Sequence, residues 1–523
     1  MSGVKLRDRA YMYSSSDNAL DAALNFLAAE QESAGADPDK MVLETSISKI
    51  LLIGTHAYKF KRGVRLPYVN YATAQDRLQA CEKELELNRA YAPELYDCVL
   101  RITRKTDGAL QIGGEGELVE PVIKMARFDQ DCLLDRMTTA GKVTPALLAS
   151  LAAVIADSHA RAPLSRDIDG GRRVREVLDL NAASIAASPL SARYAGIDRR
   201  LRAAWREHAD LLDARASRGK VRRCHGDLHL DNIYVLDGRP VLFDCLEFSD
   251  ELATTDVLYD LAFPLMDFLS LGRAHDANSL LNRYLDLCGD DDEGLSLMPL
   301  FIAMRSCVRS LVLLHKESAS PACAVPGAGL SARQYLALAR RCLKPGQARL
   351  ICIGGLSGSG KSTVAAALAH RLGPVPGARI LNTDRIRKRL FAVEPEKRLP
   401  DSAYIPQISD EVYALLLQQA RIVLKQGYCV VLDGVYESAS RRQALQNFAR
   451  DIGVPFSGYW LNAPLDVRER RVIGRTHDVS DATVKLLAVQ ASRSQAVRDW
   501  KVLDATAHAQ AIAHRIERDI LDR

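Results

Sequence analysis

Residues 349–363 read Arg349-Leu-Ile-Cys-Ile-Gly-Gly-Leu-Ser-Gly-Ser-Gly-Lys-Ser-Thr363. Arg349 to Gly354 is a short apolar run containing β-branched residues, the pattern of a buried strand, and the Ala-rich stretch Ser362 to Leu372 has the pattern of a helix. The join between them, Gly355 to Ser362, fits G-x-x-x-x-G-K-[ST]. Its glycines let backbone N–H groups turn inward around phosphates with no Cβ in the way, and the helix N-terminus adds positive potential there. Gly355, Leu356, Ser357, Gly358, Ser359, Gly360, Lys361, Ser362 and Thr363 are therefore candidates to hold the phosphates of ATP. Lys361 supplies a point charge for the β- and γ-phosphates, and the Ser362 hydroxyl a ligand for Mg²⁺.

Working outward, strand patterns at 350–354, 378–382, 428–433, 456–461 and about 501–504 alternate with helical ones at 361–372, 408–426, 440–452 and 465–475. That alternation predicts an α/β domain built on a parallel sheet covered on both faces. The second strand runs into Asn382-Thr-Asp384-Arg-Ile-Arg387. An Asp just past a strand end lies at the edge where such sheets place ligands. Asp384 either accepts a proton from an attacking hydroxyl or caps the next helix, and Arg387 either holds an anionic group or lies on the surface. Asp433, ending the run Val430-Val-Leu-Asp433, either positions Mg²⁺ or caps a turn. Arg471 and Arg475, four apart on a helix, form either a lid over phosphates or a solvated face.

Residues 349–523 resemble P-loop kinases of the AAA-type, zeta-toxin-like group, which phosphorylate small molecules or nucleic-acid 5′ ends. The resemblance rests on 354–363, on 382–387 and on Arg471-Val-Ile-Gly-Arg-Thr-His-Asp-Val-Ser-Asp-Ala482. It implies that Asp384 is the general base and Arg387 its partner on substrate or transition state.

A second run with the same chemistry lies upstream: Cys224-His225-Gly-Asp227-Leu-His-Leu-Asp-Asn232. An Asp followed five residues later by Asn has the spacing of a kinase catalytic loop, where the Asp takes the hydroxyl proton and the Asn ligates Mg²⁺. Twelve residues on, Val241-Leu-Phe-Asp244 ends a strand with a carboxylate, across a hairpin turned by Asp237-Gly238. Asn232 and Asp244 thus form a hard oxygen donor set suited to Mg²⁺. His225 and His229 read as structural hydrogen-bonding groups, since no zinc spacing accompanies them.

This part resembles the aminoglycoside phosphotransferase family, a branch of the protein-kinase-like fold, over roughly residues 40–345. The matching runs are 225–233, 243–248 and Asp256-Val-Leu-Tyr-Asp260-Leu-Ala262. The last implies support for the catalytic loop. Ala57-Tyr-Lys59-Phe-Lys61 is similar to the strand bearing the ATP-binding lysine, and Cys81 to Arg89 to the helix whose Glu pairs with it. The resemblance assigns Lys59 to the phosphates, with Lys61 the alternative, and Glu84 as ion-pair partner. The glycine loop of protein kinases is absent, since Glu44-Thr-Ser-Ile-Ser48 occupies its place, which disfavours a protein substrate. The tandem order resembles bacterial two-domain proteins that join such a phosphotransferase to a P-loop ATP-binding domain.

The chain has 523 residues, room for about three units of ~150 residues. The expected division is a kinase-like domain over 1–345 and a P-loop domain over 346–523. The first has a small mixed lobe (about 1–126) and a helical lobe (about 127–345), with loop at Ser318–Pro321 and Pro326–Gly329 before the boundary. The 11 cysteines are scattered without Cys-x-x-Cys pairs, which excludes a disulfide framework and suits reduced thiols in the cytoplasm. The N-terminus has no signal-peptide pattern. The apolar stretch Leu295–Leu314 is interrupted by Arg305 and Arg309 on one face, so a buried helix is expected and no membrane partner. Residues 346–523 carry 26 Lys+Arg against 18 Asp+Glu, a basic balance that suits a phosphate-bearing ligand.

The expected function is a bifunctional phosphotransferase using ATP and Mg²⁺, with small-molecule acceptors at both sites. One alternative makes the N-terminal half a non-catalytic sensor. Another makes the C-terminal half a 5′-hydroxyl kinase on nucleic acid, disfavoured by the lack of an aromatic-and-basic stacking run. Acceptor identity and oligomeric state are not written in the sequence.

Overall fold

A computed structural model describes residues 16–35, 40–45, 47–66, 69–165, 168–186, 188–289, 291–319, 330–393, 397–473, 487 and 497–522. The small lobe contains α1 (Ser16–Ser33), β1 (Lys40–Glu44), β2 (Ser48–Ile53), β3 (His56–Lys61), β4 (Arg65–Leu66), β5 (Val69–Asn70), α2 (Ala74–Arg89), β6 (Tyr96–Arg104), β7 (Leu110–Ile112) and β8 (Glu117–Ala126). Six strands form an antiparallel sheet of order β1-β2-β3-β8-β6-β7. Alternation along β2 and β3 sends Leu51, Ile53, Tyr58 and Phe60 to one face, under α1, and Leu52 and Ala57 to the other, with Cys81 of α2. Thr73 and Asp76 form a capping box that fixes where α2 begins, and hence where Glu84 falls. The sequence pattern did not single out α1 or β6.

The helical lobe follows with α3 (Leu134–Thr139), α4 (Pro145–Arg161), α5 (Gly170–Ala186), α6 (Ser191–Glu207), α7 (Ala209–Ser217), β9 (Val221–Arg223), β10 (Ile233–Leu236), β11 (Arg239–Leu242), α8 (Asp250–Ala253), β12 (Thr254–Asp256), α9 (Val257–Ser270), α10 (Ala274–Cys288), α11 (Met298–Ala319) and α12 (Ala332–Cys342). α6 and α7 are separate helices that meet at His208. The loop expected from Ser318 begins later, because α11 runs to Ala319; the remainder, 320–329, lies outside the described residues. β10 and β11 pair through a two-residue turn in which Asp237 and Gly238 both have positive φ, 49° and 78°. The segment Asp291–Leu314 is long and apolar enough to cross a membrane by length and composition. Here 61% of its apolar window is buried inside the fold, and Arg305 lies 3.9 Å from the centre of the Tyr259 ring.

The C-terminal part comprises β13 (Leu350–Gly354), α13 (Lys361–Ala369), β14 (Arg379–Asn382), α14 (Thr383–Leu390), α15 (Pro406–Lys425), β15 (Val430–Asp433), α16 (Ala439–Ile452), β16 (Phe456–Asn462), α17 (Leu465–Ile473), β17 (Lys501–Asp504) and α18 (Ala509–Leu521). Its five strands are parallel, in the order β14-β15-β13-β16-β17. Both faces are covered, so the strands read as near-continuous apolar runs. One apolar core is shared by both halves of the chain: Phe301 and Leu338 of the helical lobe belong to the same buried cluster as Leu350, Leu416 and Trp460. Ten of the 11 cysteines fall among the described residues, and all ten are free thiols.

Candidate active sites

The first site lies between the two lobes of the N-terminal part. β3 carries Lys59 to α2, where its Nζ is 2.7 Å from Glu84 Oε1 and 2.5 Å from Asp244 Oδ1. Burial alone would lower the pKa of this ammonium, but Asp244 and Glu84 raise it well above the ordinary value, so Lys59 is charged. Lys61, two residues on, contacts the other Glu84 oxygen and Glu247, and Tyr71 donates to Glu247 at 2.8 Å. Both lysines therefore reach Glu84, but Lys59 is the one beside Asp244.

The catalytic-loop segment is fixed by groups behind it. Gly226 has φ 82°, and a Cβ there would meet Leu246 Cβ at 3.0 Å and Ala253 Cα at 3.2 Å, so only glycine fits. The Gly226 N–H donates to Asp260 Oδ1 at 2.8 Å, and the Leu230 N–H to Asp267 Oδ2 at 2.9 Å. Both carboxylates project from α9. Asp260 also meets His159 Nε2 at 3.3 Å. These two backbone bonds hold the loop at either side of Asp227. The Asn232 amide nitrogen lies 2.9 Å from the Asp227 carbonyl oxygen, 3.3 Å from Asp227 Oδ2 and 3.4 Å from the Asp244 carbonyl oxygen. That leaves its side-chain oxygen as the ligand atom.

Asp244 occupies the left-handed region, φ 58°, a conformation that costs energy in a residue with a Cβ and is found where function fixes the backbone. It is held by Tyr96, whose hydroxyl accepts its N–H at 3.2 Å, and by Asn88, which accepts the Cys245 N–H at 2.9 Å. Asp227 and Asp244 keep 40% and 37% of their side chains open to the cleft. An amide oxygen and a carboxylate brought to one place beside a lysine fit Mg²⁺ and the phosphates of ATP.

Two histidines complete the loop. His225 Nε2 is 2.9 Å from the Phe243 carbonyl oxygen, and burial lowers its pKa, so the neutral ring ties the loop to the hairpin. His229 Nε2 is 3.4 Å from Asp227 Oδ2. Desolvation opposes the charge on Asp227, but His229 outweighs it and holds the carboxyl well below its ordinary range. The β1–β2 turn occupies the place of the absent glycine loop. It is closed by the Ser48 N–H donating to Thr45 Oγ1 at 2.9 Å; Ser46 lies outside the described residues.

The second site is the loop after β13. Gly355, Gly358 and Gly360 have φ of 148°, 79° and 92°. A Cβ on Gly355 would lie 2.7 Å from the Leu461 carbonyl oxygen, and one on Gly358 2.8 Å from that of Arg468, so the loop closes only with glycine. α13 starts at Lys361 with its N-terminus at the loop. The exposed Ser362 donates from Oγ to Asp433 Oδ2 at 2.6 Å, and Asn382 Nδ2 donates to the same oxygen at 2.6 Å. Asp433 is 1% exposed, and its Oδ1 has no partner among the described residues. That orphaned carboxylate oxygen beside a serine hydroxyl fits a hydrated Mg²⁺. Asn382 also caps α14, accepting the N–H groups of Asp384 and Arg385 at 2.9 and 3.0 Å. Asp384 thus stands in the first turn of a helix anchored to the Asp433 carboxylate.

The arginines separate. Arg387 is 6% exposed; its Nη1 donates to the Ala403 carbonyl oxygen at 2.6 Å, and the guanidinium lies 4.8 Å from the Tyr404 ring centre. Arg471 donates to the carbonyl oxygens of Ser359 (3.1 Å) and Ala505 (2.8 Å), bracing the phosphate loop. Arg475 lies outside the described residues. The sequence reading passed over Arg468, which is 4% exposed, sets its backbone against Gly358, and has no partner for Nε or Nη1 among the described residues. Its only signal was a place three residues before Arg471 on the same helix. The residue that caps α14 is Asn382, not Asp384, which the sequence offered as a cap; the Asn382 bond to Asp433 had no sequence signal.

The family model described as "Phosphotransferase enzyme family" matches residues 77–296, and that described as "AAA domain" matches residues 350–497. An uncharacterised protein of Mycobacterium tuberculosis strain H37Rv is 32% identical over 470 residues, covering 88% of this chain and 90% of the relative. A Mycobacterium bovis protein matches to the same extent. The chain belongs to one family with these mycobacterial proteins. In this chain a phosphotransferase-type domain precedes a P-loop kinase-type domain. The adenylyl-sulfate kinase of Myxococcus xanthus is 28% identical over 150 residues, 29% of this chain and 74% of that enzyme. Among solved structures, a choline/ethanolamine kinase family protein from Mesorhizobium loti is 16% identical with a TM-score of 0.38, covering 62% of this chain and 93% of that one.

Proposed function

We propose that this member of the family is a bifunctional ATP- and Mg²⁺-dependent phosphotransferase, each half transferring the γ-phosphoryl group to a hydroxyl of a small-molecule acceptor. The observation that carries this is the joining of Lys59, Glu84 and Asp244 with Asp227 and Asn232 at one cleft. The P-loop joins Ser362 and Asp433 in the same manner. Phosphoryl transfer asks little more of a protein than positioning and charge neutralisation. Mg²⁺, when bound, neutralises the β- and γ-phosphate oxygens. In the first site Lys59 binds phosphate oxygens, Asn232 and Asp244 hold the metal, and Asp227 takes the proton of the acceptor hydroxyl. An oxygen–phosphorus bond forms to the acceptor as the bond from the γ-phosphorus to the leaving ADP oxygen breaks. In the second, Lys361 and the loop amides bind phosphates, Ser362 and Asp433 hold the metal, and Asp384 is the base. Ten free thiols suit a reducing, cytoplasmic setting.

The test is a phosphoryl-acceptor screen by mass spectrometry with Mg²⁺–ATP and a cytosolic metabolite extract containing short RNA. Asp227→Asn and Asp384→Asn are run in parallel. Each variant is expected to lose a different phosphorylated small molecule. Loss only in Asp384→Asn would make the N-terminal half a sensor. A phosphorylated RNA end would replace the small-molecule reading of the second site.

A further inference from the structure

β14 is the edge strand of the P-loop sheet, and an edge strand leaves a row of unpaired N–H and C=O groups. Here that row is read by side chains of α10, from the other half of the chain. Asn278 Nδ2 donates to the Ala378 carbonyl oxygen at 3.0 Å, and Asn282 Nδ2 to the same oxygen at 3.1 Å. Asn282 Oδ1 accepts the Ile380 N–H at 2.7 Å. An amide side chain is suited to this, because it offers a donor and an acceptor together to the alternating groups of a strand. Asn278 and Asn282 are 1% and 6% exposed, so these bonds are made away from water.

Between the two backbone contacts, Arg379 points out of the sheet into the N-terminal part. Its Nε donates to Asp292 Oδ1 at 2.8 Å, and its Nη1 lies 2.7 Å from Asp286 Oδ1 and 3.1 Å from Asn282 Oδ1. The other Asp286 oxygen takes Arg385 of α14 at 3.0 Å. A buried guanidinium needs charge compensation, and Arg379 draws it from carboxylates of the other domain. Gln426 adds a bond in each direction, from the Ser296 N–H and to the Asp292 carbonyl oxygen.

The gripped strand leads into the second site. Three residues after Arg379, Asn382 binds Asp433 and caps the helix carrying Asp384. The gripping helix leads into the first site. α10 follows α9 after a three-residue turn, and α9 carries Asp260 and Asp267, which hold the catalytic loop at Gly226 and Leu230. One helical hairpin thus grips the catalytic loop with one arm and the strand before Asp384 with the other.

We propose that Asn282, Asp286 and Asp292 are positioning residues for the P-loop site, and that the α9–α10 hairpin couples nucleotide occupancy of the two sites. The inference rests on the two-site reading above. Coupling between sites is carried by packed elements that both sites bias, and typically changes an equilibrium 5- to 150-fold. A first ligand that orders a shared element also lowers the cost of ordering it for the second.

Amide hydrogen exchange of the full-length protein tests this. Lys361→Ala removes the P-loop ammonium, and Mg²⁺–ADP is then added to fill the N-terminal site alone. An unchanged peptide 355–363 reports that the P-loop stays empty. Exchange is expected to slow in peptide 225–246 and, at least about fivefold, in peptide 379–390. Adding Asn282→Ala should keep the first response and abolish the second. A merely structural role would raise basal exchange in 379–390 without removing its response to ADP. Asp286→Asn serves as the milder variant should Asn282→Ala fail to fold, and the same loss of response is expected. Slowing in 225–246 without slowing in 379–390, or a response that survives both variants, overturns the coupling and leaves the two-site reading intact. No slowing in 225–246 removes the N-terminal nucleotide site, and the coupling with it.

Discussion

Lys59 and Lys61 both reach Glu84, yet replacing each by methionine should fail in a different way. The cluster holds two ammonium groups against three carboxylates, Glu84, Glu247 and Asp244. Lys61, Glu84 and Glu247 are all at most 5% exposed. Lys61→Met leaves Glu84 buried on Lys59, and Glu247 buried on the Tyr71 hydroxyl with its ion pair removed. Breaking a buried pair in this way costs about 3–5 kcal/mol, or roughly 6–20 °C in the unfolding of the small-lobe region at 2–4 °C per kcal/mol. In Lys59→Met the Asp244 side chain, 37% open to the cleft, can turn to water, so the cost should be about 1–2 kcal/mol. Its loss falls on chemistry: removing the phosphate-binding charge should lower kcat/KM of the N-terminal reaction by about 10²–10³, some 3–4 kcal/mol at the transition state. The assay pairs urea unfolding followed by tyrosine fluorescence with product formation under Mg²⁺–ATP. The assignment is refuted if Lys61→Met keeps its stability and loses activity while Lys59→Met keeps kcat/KM within threefold or so.

Arg468→Met should raise the ATP KM of the P-loop reaction about tenfold, the worth of one charge-assisted contact. Stability should hold or rise, since a buried guanidinium whose Nε and Nη1 have no partner among the described residues is removed; an unchanged KM would assign the residue to packing alone. Asp260→Ala leaves the Gly226 N–H without its acceptor, at a cost of about 1–3 kcal/mol. It should lower the N-terminal kcat more than it changes the ATP KM, as steady-state kinetics would read. Asp135 has its pKa raised to about 6 by burial and then by the charge of Asp231. The fold therefore holds this proton more tightly than the unfolded chain, and stability falls as pH rises through about 4 to 6, by at most ~3 kcal/mol. Asp135→Asn should accordingly raise the melting temperature more at pH 8 than at pH 4.5; equal gains at both values would refute the linkage.

What could be read from sequence was what local spacing fixes. The G-x-x-x-x-G-K-S run places its own loop, because glycine conformation and the helix start are set within a few residues. Asp227, Asn232 and Asp244 are tied by one loop and one hairpin, so their convergence follows from short-range geometry. Lys59 and Glu84 lie 25 residues apart, and their pairing needed the resemblance before the structure gave the distance. The contacts between halves were illegible: Asn278 and Asn282 look like polar positions on an amphipathic helix, and Arg379 like a strand-end charge. Only the assembled fold brings residues about 100 positions apart into contact. Arg471 shows the converse limit. Its position suggested a cation over the phosphates, but helix periodicity does not say that two backbone carbonyls would take its donors.

The asparagine seal on β14 also bears on how this gene can be divided. A fragment beginning at residue 346 would keep every residue of the phosphate loop and would still be damaged goods. Its sheet would present the open Ala378 carbonyl and Ile380 amide along an edge bordered by apolar surface, a template for pairing with another chain. Arg379 would face solvent without its carboxylates. Such a fragment should form insoluble assemblies when expressed alone, and shuffling the P-loop half onto a different phosphotransferase would fail unless the graft also carried the surface of α10.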